Sequence, residues 1–148
     1  MKTLHLNTIE SNIGESLGTS DWQIITQEMI DQFATLTGDN QWIHVDTEKA
    51  KHSPFGSTIA HGFFILSFAP KLVAEMIELK GIRLGLNYGF EKVRFISPIP
   101  VNSEIRMSAT LTAIERDEVK VKATMQLVFE IKDHEKPAIM AEWLNVFM

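Results

Sequence analysis

The stretch Thr37–Phe64, TGDNQWIHVDTEKAKHSPFGSTIAHGFF, decides how the rest of the chain is read. It joins an acid–imidazole pair, a glycine-bounded turn and the start of an apolar segment. Gly38 is placed to end the helix before it, because glycine enters the left-handed C-cap conformation without steric cost. Asp39 follows, and His44 comes five positions later, so both belong to one turn. Seventeen positions after His44, His61-Gly62 opens a long hydrophobic run. A carboxylate and an imidazole on one turn can share a water or a proton. The free backbone N–H groups of a helix start can hold a developing negative oxygen. These are the parts of an addition or elimination site beside a carbonyl. Singly, Asp39 is an ordinary turn residue and His44 an ordinary core histidine. The pair, set before a buried helix start, brings the site reading level with the structural one.

Working outward, Met1–Ser20 is polar and mixed, and Asp21–Ile25 reads as a short edge strand. Thr26 caps a helix whose apolar positions run from Met29 to Leu36, with Glu28 in its first turn. Thr47 is placed to cap a single turn, Glu48–Lys51, and Ser53–Ser57 is a loop by composition. His61–Lys80 predicts the main helix, apolar nearly all round in its first half and therefore buried. Pro70 is expected to bend it and Gly81 to end it. The remainder predicts strands. Tyr88–Phe95 precedes a break at Pro98 and Pro100. Ile105–Ala113 and Val119–Ile131 alternate apolar and polar residues, the pattern of antiparallel strands with one wet face. Ile139–Phe147, with Trp143, is the last. One apolar helix followed by long alternating strands predicts an α+β fold, an antiparallel sheet wrapped around one long central helix. Its exposed edge invites pairing with a second copy, so a homodimer is expected.

At 148 residues the chain predicts a single domain, 1–148. Hydrophobic residues make up 45% and charged residues 22%, as in soluble globular proteins. The net charge of −5 and the lack of a basic stripe exclude a nucleic-acid partner. There is no cysteine, hence no disulfide or thiolate chemistry, which suits a cytoplasmic location. No apolar run reaches membrane-spanning length, and the first ten residues lack the apolar core of a secretory signal. Ser57 and Thr58 lack a neighbouring base, and no nucleophile-elbow motif is present. A metal site from His44, Asp46, His52 and His61 matches no standard zinc spacing, so no metal and no cofactor are assigned.

Gly38-Asp39, His44, Asp46, Phe55-Gly56 and Ile59-Ala60-His61-Gly62 together resemble the signature of the MaoC-like dehydratases, the (R)-specific enoyl-CoA hydratases of the hot-dog fold. Asn87-Tyr88-Gly89 and Lys92-Val93-Arg94-Phe95 resemble the branch of that family related to nodulation protein NodN. The resemblance spans about Thr26 to Val101. It implies an enzyme whose substrate is an acyl-CoA or acyl-carrier thioester, one that adds water reversibly to a 2-enoyl thioester to give the (R)-3-hydroxyacyl thioester, needs no cofactor and works as a dimer. It assigns water activation to Asp39 and His44, and the oxyanion donor to the Gly62 N–H. Gln41, Trp42, His61 and Phe63 are expected to touch substrate. Where the family has an Asn-Pro-(Leu/Ile)-His run, this chain has Gln41-Trp42-Ile43-His44, and Trp42 is expected to wall the acyl pocket. The rival readings are an acyl-thioester binding module without catalysis and a thioesterase on the same fold.

Overall fold

Along Val121–Ile131 every second residue is buried, and the buried set is Val, Ala, Met, Leu, Phe and Ile. A strand so patterned must lay one face on a core. The structure, a computed structural model describing residues Met1–Met148, builds the fold on that strand. In chain order the elements are β1 (Lys2–His5), a 3-10 helix (Leu6–Asn12), β2 (Ser16–Thr19) and β3 (Gln23–Ile24). Four helices come next: α1 (Gln27–Thr37), α2 (Trp42–Val45), α3 (Thr47–Ala50) and α4 (Gly62–Leu66). Then come α5 (Ala69–Met76), β4 (Ile77–Lys80), β5 (Gly85–Phe95), β6 (Glu104–Arg116), β7 (Val121–Ile131) and β8 (Ile139–Phe147).

The main sheet runs β2-β6-β7-β8-β5, all antiparallel, with β3 also paired to β6. It curls around α4 and α5, whose Ile65, Ala69 and Leu72 meet Ile105, Met107, Leu127 and Phe129 in one core. All seven are 1% exposed or less. The expected α+β architecture is therefore present. β5 pairs only with β8, so its outer edge is free, and Leu86, Tyr88 and Phe95 stand exposed along it.

Several expectations need correcting. His61–Lys80 is not one helix. It breaks at Ser67–Phe68, resumes as α5 with Pro70 in its first turn, and gives way to β4 after Met76. Proline tolerates the first turn, where its missing N–H would have no partner, and so the chain restarts there rather than bending. β4 pairs in parallel with β1, a partner at the far end of the chain that gives Met1–Ser20 a defined role. Val119 precedes its strand and is exposed. The turn before β7 is held by the Asp117 carboxylate, which accepts from the N–H groups of Val119 (2.8 Å) and Lys120 (2.9 Å). Asp46, not Thr47, caps α3, its carboxylate accepting from Lys49 N–H at 2.9 Å. The cap of α1 is as expected, with Thr26 Oγ1 accepting from Met29 N–H and Gly38 left-handed at φ 81°.

Candidate active site

The turn between α1 and α2 places Asp39 at its exposed lip and His44 in its buried wall. His44 Nδ1 lies 2.7 Å from the Ile59 carbonyl. A carbonyl only accepts, so Nδ1 carries the proton and Nε2 keeps a bare lone pair. The same logic applies to His61. Its Nε2–H donates to the Asp39 carbonyl at 3.0 Å, leaving Nδ1 as a lone pair. That nitrogen is buried without a partner. The two imidazoles stack, centroids 3.8 Å apart and planes at 27°. Phe33 covers His61 with centroids at 4.9 Å. Nitrogen and carboxylate atoms of Asp39, His44 and His61 lie within 4.8 Å of one another.

With His44 Nδ1–H and His61 Nε2–H already engaged, the three residues have only acceptors left to offer, and a water, which donates twice, suits such a set. A metal is less well served, because the in-plane lone pairs of two nearly parallel rings do not aim at one point. Of the four residues weighed as metal ligands, only His44 and His61 come together. Asp46 is occupied as a helix cap, and His52 lies exposed in the turn after α3.

Burial pushes the His44 imidazole below its ordinary value of 6.5; the Ile59 bond opposes this, the nearby His61 adds to it, and Asp39 opposes it. His44 is accordingly a neutral base with a fixed tautomer at neutral pH.

A cleft of about 320 Å³ gives His44 a common wall with Gly62, Phe63, Phe95 and Ile96. Gly62 opens α4, and its N–H has no carbonyl of that helix to bond. A side chain at Gly62 would not fit, since its Cβ would come 2.5 Å from a Phe95 ring carbon. Phe63 is not a core residue. It is 71% exposed at the cleft mouth, edge-on to Phe95 with centroids at 5.7 Å. Gln41 is exposed, and its N–H lies 3.5 Å from the Asp39 carboxylate. Trp42 does not line this cleft. It is half-buried, with Lys49 Nζ 4.6 Å above its ring.

The roles of two residues escaped the sequence reading. Thr58 is fully buried, and its hydroxyl donates to Gln27 Oε1. Gln27 Nε2 then donates to the His44 carbonyl and to Asp31, both at 2.8 Å. Thr58 and Gln27 are 31 positions apart, and nothing local signals their pairing. Together they brace the backbone of His44 from behind.

Known proteins share both the sequence and the fold. A family model described as MaoC like domain matches residues 8–131. The 3-hydroxyacyl-thioester dehydratase Z of Mycobacterium tuberculosis is 48% identical over 130 residues, 87% of this chain and 86% of that protein. Nodulation protein N of Rhizobium leguminosarum is 38% identical, covering 99% of this chain and 92% of its own. The fold matches the (R)-hydratase from A. caviae with a TM-score of 0.75 at 22% identity, over 90% and 94% of the two chains. The sheet wrapped on its helix is thus the hot-dog fold.

Two outcomes follow from this geometry. Thr58→Val leaves the oxygen of half-buried Gln27 without its donor, which costs about 1 kcal/mol of unfolding free energy and shifts the His44 ring resonances; Thr58→Ser restores both. Unmoved His44 resonances in Thr58→Val would show that the brace is idle. The second outcome concerns pH. The unfolded His44 takes a proton near 6.5, while the folded one resists until a lower pH. The unfolded state therefore binds more protons in that window, and stability falls as pH drops below about 6.5. Thermal melts of His44→Gln should show a shallower acid decline than the wild type.

Proposed function

Because the chain belongs to the MaoC-like domain family, we propose that it is a hydro-lyase that adds water reversibly to a 2-enoyl thioester, giving the (R)-3-hydroxyacyl thioester. The observation that carries this reading is that polar atoms of Asp39, His44 and His61 lie within 4.8 Å of one another, while His44 also lines a cleft with Gly62. Asp39 and His44 hold the attacking water. Its oxygen bonds to C3 as one O–H bond breaks, and the pair takes that proton. The C2–C3 double bond shifts its electrons toward the thioester carbonyl, and the Gly62 N–H steadies the enolate oxygen. A proton returned from the pair to C2 restores the carbonyl. The pair ends as it began, so no cofactor enters the balance.

His61 acts from behind, tying the Asp39 backbone and pressing on His44. Phe63 and Gln41 contact the substrate at the mouth. The acyl chain runs toward an apolar cavity of about 410 Å³ farther along the helix, bounded by Pro70, Val73 and Ala74 of α5. That volume is in the range of small-molecule sites, roughly 300–1,000 Å³. The working unit is a homodimer joined through the free edge of β5, which carries Leu86, Tyr88 and Phe95 exposed. No helix is long and apolar enough to cross a membrane.

With crotonyl-CoA, the enoyl-thioester absorbance should fall without release of free thiol. Thiol release would instead point to a thioesterase, and silence on both to a binding module. Asp39→Asn and His44→Ala should each remove most of the rate and keep the fold, and the double variant should lose far less than the two losses combined, since both groups serve one water. Additive losses would sink the shared-water mechanism. Light scattering at micromolar concentration should give twice the chain mass; a clean monomer would overturn the dimer.

A further inference from the structure

The apolar cavity has one feature that its walls do not account for. Leu17, Val73, Ile77, Leu111, Met125 and Trp143 make it hydrophobic, and no charged side chain lines it. Asn145 nevertheless faces it from β8. On that strand Ala141, Trp143 and Phe147 share the inward register, and Asn145 falls between the last two, where an apolar residue is expected. It is 6% exposed, and its amide nitrogen is buried with no hydrogen-bond partner. Its cross-strand neighbour Asn87 does not supply one, because the Asn87 oxygen is turned to the indole N–H of Trp143 at 2.8 Å. A buried polar group left unpaired is destabilising, and native structures retain few of them without a reason.

We infer that the acyl chain this protein accepts carries a neutral hydroxyl toward its far end, and that Asn145 is the residue that selects it. The inference rests on the thioester reading above. A hydroxyl both donates and accepts, so it satisfies the amide whichever way the amide is turned. A carboxylate is excluded, since no cation lines the cavity to offset its desolvation. A plain alkyl chain fills the volume but leaves the amide unpaired. A site that hydrogen-bonds a substrate hydroxyl discriminates against the chain lacking it, because the buried amide is then left unpaired.

The test compares two 2-enoyl thioesters of equal length, long enough to run beneath α4 and α5, one ending in a hydroxyl and one in a methyl. In the wild type, kcat/KM should favour the hydroxyl-ended chain by about tenfold, the worth of one hydrogen bond to a buried group. Asn145→Leu should reverse that ratio, and Asn145→Val provides a second variant if the first does not fold. A wild-type preference for the methyl-ended chain, or an equal ratio in wild type and variant, would overturn the inference. Crotonyl-CoA run alongside on the wild type separates failure of the reaction from failure of the selectivity. If the reaction itself fails, saturated N-acetylcysteamine thioesters of the same two chains serve as binding probes. A larger thermal shift with the hydroxyl form, lost in Asn145→Leu, supports the cavity assignment; equal shifts reject it.

Discussion

The arrangement hangs on one residue that does no chemistry, Ile59. Its carbonyl accepts from His44 Nδ1–H at 2.7 Å, and its N–H donates to the Ile43 carbonyl at 3.0 Å. The same short segment is fastened on its other side, with Ala60 N–H on the Ile99 carbonyl and Val101 N–H on the Thr58 carbonyl. Thr58–Ala60 is therefore a narrow bridge between the turn that carries Asp39 and His44 and the loop that leads into β6. The Ile59 carbonyl fixes the His44 tautomer, and the bridge runs directly into His61-Gly62. One backbone segment thus sets the distance between the base and the helix start that faces the same cleft. The chemistry needs that distance held, since small misplacements of reacting groups cost large factors in rate.

The division of labour between the two catalytic candidates follows from where the turn leaves them. Asp39 stays in water at the lip, a charged group needing no buried partner. His44 is buried, and burial favours its uncharged form. The stacked His61 works in the same direction, because a second proton on two rings 3.8 Å apart is electrostatically costly. The turn thus sets two acceptors in different surroundings, a neutral imidazole in the buried wall and a carboxylate in water at the lip.

Much of this is legible in the amino-acid sequence. Period-two alternation marks β6 and β7, since each lays one face on the core, and Thr26 and Gly38 mark the ends of α1 by side-chain and backbone chemistry that is local. What stays hidden depends on partners far along the chain. Ile77–Lys80 is four residues, too short for period two to be told from the end of a helix, and it is a strand only because Lys2–His5 lies beside it. Asp46 and Thr47 are both good caps, and the fold selects the one whose carboxylate reaches Lys49 N–H. The Asp39–His44 pair can be proposed from spacing. That His61 stacks on His44 depends on the path of the Ile59 bridge, which no local pattern encodes.

Trp42 shows how a departure from a family pattern can be absorbed. The related run has proline there, which stiffens the turn by fixing φ. Here the turn is closed by hydrogen bonds from His44 N–H to the Gln41 carbonyl at 2.9 Å and from Asp46 N–H to the Trp42 carbonyl at 3.0 Å. Both use backbone groups that a proline would also offer, so what the tryptophan adds is its ring. It lies half-buried beneath Lys49, a residue of the α3 turn that Asp46 caps. A cation over an indole face is worth about 0.5–1 kcal/mol at an exposed site, and the ring adds apolar cover at the α2–α3 corner. The rigidity that proline supplies through covalent geometry is thus supplied here by packing across two short helices. Its place in the structure ties Trp42 to the order of the turn that carries His44.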